Sequence, residues 1–261
     1  MNQDDRKYIG KMLLYYSLKY KGDWELITQA INFHEEIDNE FLKTELKKIN
    51  FKYVTIVDEE YPSQFKAITR PPYVIYYYGD FNLASAHNIL AIVGSRNPTI
   101  YGIKVCKKII NELDIKDLVI VSGLAKGIDA LSHELAFINE YKTIAVLGSG
   151  IDSIYPKENY YLYKKIKMEG LLISEYPYKG IVSKENFALR NRLISALSKV
   201  VFIPDVNQKS GTSLTVRFAL EQGKDIAVVP NSIFDDLYNN RLIFEGATPI
   251  ITSEDLKELF F

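Results

Sequence analysis

Four glycine-bearing loops and one helix start carry the residue types that bind anions. Gly94-Ser95-Arg96 directly follows the apolar run Ile89-Leu90-Ala91-Ile92-Val93. Gly94 lets the backbone turn tightly, and free amides at the next helix start face outward. Arg96 adds a planar, two-pronged donor suited to phosphate or carboxylate. The run Asn186-Phe187-Ala188-Leu189-Arg190-Asn191-Arg192 puts two arginines and an aromatic ring in the first turns of a helix. Cations are disfavoured at a helix N-terminus unless an anion lies opposite. Ser122-Gly123-Leu124-Ala125-Lys126-Gly127-Ile128-Asp129 and Gly148-Ser149-Gly150 follow two further apolar runs. Lys157 stands near another helix start. Ser210-Gly211-Thr212-Ser213 suits phosphate oxygens and ordinary helix capping equally.

Other chemistries lack their residues. There is no Gly-Lys-Ser/Thr phosphate loop, no GxGxxG, no Gly-x-Ser-x-Gly and no HExxH. His34, His87 and His133 are far apart, and Cys106 is the single cysteine, so no metal cluster is spelled out. Asp129 and His133 share a helical face, where a structural hydrogen bond is favoured over an acid/base pair. Glu175 lies in a loop, where structural and chemical roles are both open.

The elements that position these loops follow from periodicity. Residues 4–49 carry apolar residues at helical spacing and no strand pattern, which predicts three short helices. Val54–Val57 and Val74–Tyr78 read as short strands. Apolar runs then end at Val93, Val121, Leu147, Ile173, Ile203 and Val229, with amphipathic stretches between them. That alternation predicts βαβ units and a parallel sheet covered on both faces. The predicted class is α/β: an extended Rossmann-like, doubly wound, mostly parallel sheet preceded by a small all-helical unit. The domains are residues 1–50 and 51–261. With six parallel strands the expected order is 3-2-1-4-5-6, with the loops after Val93 and Ile173 meeting at the switch point.

The chain has 261 residues and a net charge of −1, which argues against a surface coated in positive charge. Its 32 Lys+Arg, 19 Tyr and 13 Phe still supply cations and aromatic faces, the pair used on unpaired nucleic acid. No run approaches the ~20 apolar residues of a bilayer span, and the polar start does not resemble a signal peptide. A cytoplasmic location is the default expectation.

Taken together the motifs resemble the DNA-processing protein A family (DprA, also called Smf). The matching segments are Ala91–Arg96, Val121–Ala130, Ile144–Gly150 through Ile154-Tyr155-Pro156, Ser174–Pro177, Arg190–Arg192, and Lys209-Ser210-Gly211 through Ala219–Gly223. The resemblance implies a non-enzymatic, single-stranded DNA-binding protein. It implies protection of incoming strands in natural transformation, loading of the recombinase RecA, and a homodimer. It implies no cofactor, metal or membrane partner. It assigns DNA contact to Gly94, Ser95, Arg96, Ser122, Gly123, Lys126, Lys157, Lys184, Asn186, Phe187, Arg190, Asn191, Ser210 and Gly211. Phe187 would stack on a base and Arg96 would hold a phosphate. The family's Phe-Pro-Arg-Arg-Asn-Arg reads Phe187-Ala188-Leu189-Arg190-Asn191-Arg192 here, one proline and one arginine short. The winged-helix domain that many members carry at the C-terminus has no counterpart before Phe261, so duplex binding through it is not expected. Two alternatives remain open at this stage: a nucleotide-binding regulator, and a nucleoside-monophosphate N-glycosidase of a related Rossmann-like family. The second needs a glutamate where Thr215 stands.

Overall fold

Side-chain caps start the first three helices. Asn2 caps α1 (Gln3–Lys19), Asp23 caps α2 (Trp24–Asn32) and Asp38 caps α3 (Asn39–Leu46). The turn between α1 and α2 uses Gly22 at φ +80°. The computed structural model describes residues 2–180, 183–207, 211–234 and 238–261.

The bridge that follows contains β1 (Lys52–Thr55), the short α4 (Ser63–Lys66) and β2 (Val74–Gly79). Then come β3 (Ile89–Ile92), α5 (Ile100–Glu112), β4 (Val119–Ser122), α6 (Ile128–Ile138), β5 (Lys142–Leu147), α7 (Tyr160–Glu169) and β6 (Leu171–Ser174). The chain continues through α8 (Lys184–Leu197), β7 (Val200–Ile203), α9 (Thr212–Glu221), β8 (Asp225–Val228), α10 (Asn239–Phe244), β9 (Thr248–Pro249) and α11 (Ser253–Glu258). The six apolar runs each become a strand, and β3, β4, β6 and β7 are buried along their whole length.

Among the described residues, nine strands form one sheet in the order β1-β2-β6-β5-β4-β3-β7-β8-β9. The β1–β2 and β2–β6 pairs are antiparallel and the rest parallel. This corrects the expected order. Residues 171–174 do not pair with 89–92; the chain adds three strands outward from β3 before it returns. The antiparallel β2 occupies the free edge of β6, so the next strand can join only at the far side of β3. The return uses residues 175–183 and the 14-residue α8. Right-handed crossovers in one direction put α5, α6 and α7 on one face, and those in the other put α8 and α9 on the opposite face. The switch point therefore lies between β3 and β7.

Alternate residues of each strand feed the two faces. Ile89, Ala91, Ile144 and Val146 pack with Leu193, Ile194 and Leu197 of α8. Leu90 and Ile92 pack with Ile109 and Ile110 of α5 and Leu135 of α6. The N-terminal helices bury Leu13, Leu14, Tyr16 and Ile27 in a cluster shared with Tyr76, Leu172 and Ile166. No described helix is long and apolar enough to cross a membrane.

Candidate nucleic-acid interface

A cavity of about 730 Å³ opens at the carboxyl ends of β3 and β7. Ligands of open α/β sheets bind at this position. Its walls are the loop after β3, the start of α8, the start of α9, and Tyr155.

The β3 loop is held rigidly. A Cβ on Gly94 would lie 2.6 Å from the Asp205 carbonyl oxygen and 2.7 Å from Ile128, so only glycine fits. Ser95 N–H donates to that same carbonyl at 2.9 Å. The Asp205 carboxylate accepts from Thr99 N–H at 3.0 Å and from its hydroxyl at 2.6 Å. Gly127, at φ +77°, brings the neighbouring loop against the Ser95 carbonyl, which accepts from Ile128 N–H at 3.1 Å. Arg96 leaves this braced turn with its side chain exposed and lining the cavity. No carboxylate pairs with it among the described residues.

The two arginines of α8 both make bonds inside the protein, Arg190 at the cavity floor and Arg192 behind it. Arg190 is buried, and its guanidinium donates to the Gly123 carbonyl at 2.7 Å and to the Val146 carbonyl. Burial pushes its pKa down to about 10, against the pull of Asp129. It forms part of the cavity floor and ties α8 to the ends of β4 and β5. Arg192 is farther in and makes a two-pronged pair with Glu175 at 2.7 and 2.6 Å. It also donates to the Arg70 carbonyl at 2.8 Å. Glu175, open between structural and chemical roles in the sequence, is thereby committed to Arg192.

Ser183 caps α8, accepting from Asn186 N–H at 3.0 Å. Lys184 is exposed and lines the cavity one residue later. Phe187 follows at half-buried depth. Its backbone and ring sit 2.8 and 2.7 Å from where a Cβ on Gly148 would be, so that glycine admits the ring. The Tyr155 ring packs beside Phe187 in a tilted arrangement, with centroids 5.3 Å apart at 44°. Asn191 lines the same wall and donates to the Gly211 carbonyl at 3.3 Å. Gly211 and Thr212 begin α9, which has no side-chain cap. Its first amides carry the partial positive charge of a helix start.

Of the fourteen residues assigned from the sequence, Gly94, Ser95, Arg96, Lys184, Phe187, Arg190, Asn191 and Gly211 meet in the cavity. Ser122 lies beneath it, its hydroxyl donating to the Ile92 carbonyl at 2.7 Å. Gly123 makes room for the Arg190 guanidinium. Lys126 stands outside, paired with Glu158 at 2.5 Å, and Lys157 and Asn186 lie near the rim without lining it. Ser210 falls outside the described residues. Tyr155 was missed as a site residue. Its signal was an aromatic ring between a glycine loop and Lys157.

Asp129 and His133 make no bond to each other. Asp129 accepts from Ala125 N–H at 3.3 Å, and burial pushes its carboxyl above the usual range, opposed by Arg190. His133 meets the Thr143 hydroxyl at 2.7 Å, and that hydroxyl donates to the Ile120 carbonyl. The imidazole is therefore the donor through Nδ1, and its buried Nε2 has no partner. Burial pushes its pKa down to about 3. The folded chain resists protonation while the unfolded chain accepts a proton near pH 6.5. This stability is full above pH 6.5 and falls as pH drops toward 3. Between pH 7.5 and 5 the loss is about 2 kcal/mol, from 1.36 kcal/mol per unit. Asp129 works in the opposite direction, so the test is a difference. Urea midpoints of a His133→Gln variant should fall less over this interval than those of the parent.

The family model described as DNA recombination-mediator protein A matches residues 52–260. The chain is 40% identical over 207 residues to DNA processing protein DprA of Bacillus subtilis, covering 78% of this chain and 70% of that protein. It is 38% identical over 223 residues to DprA of Streptococcus pneumoniae, covering 85% and 78%. The chain belongs to the DprA/Smf family. The solved Streptococcus pneumoniae DprA superposes with a TM-score of 0.80 at 33% identity, covering 95% of this chain and 92% of that one. DprA of Helicobacter pylori, solved in work on its single-stranded DNA binding mode, gives 0.72 at 33% identity, covering 80% and 95%. The DprA resemblance read from short motifs thus holds over nearly the whole fold, N-terminal helices included.

Proposed function

We propose that the chain binds single-stranded DNA in the cavity between β3 and β7, as a non-enzymatic member of the DprA family. One arrangement carries this reading: exposed Arg96 and Lys184 share one cavity with the half-exposed ring of Phe187. Cations hold phosphates, and an aromatic face stacks on any base, which gives affinity without sequence preference. A duplex keeps its bases stacked inside and cannot offer one to Phe187. The single-stranded binding mode described for the Helicobacter pylori relative supports the same choice. The DNA contacts fall to residues 51–261, since none of the cavity-lining residues comes from 1–50. Strand protection in transformation, delivery of the strand to RecA, a homodimeric assembly and a cytoplasmic location extend this reading on family likeness.

Fluorescence anisotropy of a labelled strand of about 20 nucleotides, beside a matched duplex, tests it. The strand should bind more tightly, and its affinity should fall steeply between 50 and 200 mM salt as counterions are released. Equal binding of duplex and strand, or affinity indifferent to salt, would refute the proposal. Displacement of the strand by free nucleoside monophosphate at comparable concentration would favour a small-ligand regulator instead. Release of free base would show the N-glycosidase reading, for which Thr215 offers no carboxylate.

A further inference from the structure

We propose that the bound strand continues beyond the cavity along the solvent face of α7, on a track formed by Tyr160, Tyr161 and Lys164. This rests on the single-strand reading above and extends it to a second stretch of the same ligand. Tyr155 is the join. It lines the cavity, packs at a tilt against Phe187, and is still 51% exposed. The short turn Lys157–Asn159 leads from it directly into α7.

The first turns of α7 present two large rings to solvent, Tyr160 at 53% and Tyr161 at 70% exposure. Their helix is anchored from the other side by Leu162, Tyr163 and Ile166, all buried. The tyrosines are therefore not needed to hold α7 in place. Lys164 lies one turn on from Tyr160, its ammonium 5.6 Å from that ring's centroid.

The charges along this face are unevenly used. Lys126 and Glu158 neutralise each other at 2.5 Å. Lys157 and Lys164 have no carboxylate partner among the described residues, and Lys165 holds its ammonium 4.1 Å from the Phe137 ring centroid. Exposed rings alternating with unpaired ammonium groups match a polyanion that carries flat bases. They match an apolar protein face poorly, because docking one would desolvate those ammonium groups. Continuity with the cavity through Tyr155 selects the strand leaving it as the occupant.

The experiment compares strands of about 6 and about 20 nucleotides. A Tyr160→Ala, Tyr161→Ala, Lys164→Gln variant should bind the long strand about tenfold more weakly and the short one unchanged. Its salt slope on the long strand should shrink by about 0.7, one phosphate contact. A Tyr160→Phe, Tyr161→Phe variant should bind both strands as the parent does, because the rings and not the hydroxyls make the contact. Unchanged long-strand affinity in the alanine variant overturns the track, as does equal loss on both strands, or loss in the phenylalanine variant. Intact strand binding with failed transfer to a recombinase also overturns it, since the face would then be a protein contact. Phe187→Ala is the control for the underlying reading and should weaken the short strand. If it does not, the cavity assignment fails independently of the track.

Discussion

An Arg96→Ala, Phe187→Ala double variant will bind a single strand about 100-fold more weakly than the parent, with no loss of thermal stability. The stacking face contributes about 1–3 kcal/mol per base. The charge-assisted bonds of an arginine to phosphate add about 1.5–3 kcal/mol. Every 1.4 kcal/mol is tenfold in affinity, so the lower sum, about 2.5 kcal/mol, gives about 60-fold and larger contributions pass 100-fold. Stability is spared because Arg96 is exposed, and because the turn beneath it is held by Ser95, Asp205 and Thr99 rather than by its side chain. The Phe187 ring is half-buried, so its removal leaves a groove open to water instead of an empty core cavity. The two signatures separate. Arg96→Ala alone should lower the salt slope by about 0.7, whereas Phe187→Ala should leave the slope unchanged. If the two side chains hold one nucleotide, the double loss will fall short of the sum of the singles. Anisotropy titrations at several salt concentrations read all three quantities.

The strands were legible in the sequence because burial on both faces leaves continuous apolar runs, as in Ile89–Val93 and Val200–Ile203. Their order was not. Whether 171–174 turns back or continues outward depends on who holds the sheet edge, and the answer, β2, lies far upstream in the chain. The loops after β3 and β7 meet in the cavity because a parallel sheet brings the carboxyl ends of its strands together, whereas Ser122 and Gly123 lie beneath it and Lys126 outside it. The two kinds of arginine were harder to separate. Arg96 and Arg190 have the same chemistry, but Arg190 falls in the stripe 190, 193, 194, 197, with the buried Leu193, Ile194 and Leu197. That i, i+3, i+4, i+7 spacing points a side chain at the sheet, and it was visible in the sequence. What the spacing could not supply was the partner set. The carbonyls of Gly123 and Val146, which accept from Arg190, belong to strand ends that only the fold brings there.

Arg192→Ala will destabilise the protein by about 3–5 kcal/mol, the cost of stranding one partner of a buried ion pair. The guanidinium side chain is 1% exposed and the Glu175 side chain 8%. Burial alone would lower the arginine's pKa, but Glu175 overrides it and holds the group above its ordinary value. Removing Arg192 leaves Glu175 charged without its two donors, and leaves the Arg70 carbonyl without the bonds at 2.8 and 3.2 Å. For a chain of this size each kcal/mol shifts the midpoint by about 2–4 °C, so a fall of about 10 °C is expected. Glu175→Ala should cost a similar amount, and the double variant less than the sum of both, because no charge is then left unpaired. A thermal melt and a double-mutant cycle measure this. Strand binding supplies the discriminating readout. Well below its own midpoint, the Arg192→Ala protein should bind a single strand within about threefold of the parent, a difference under 1 kcal/mol. A variant that melted like the parent and failed to bind would place Arg192 on the DNA. That outcome would require the Glu175 pair to open when the strand arrives.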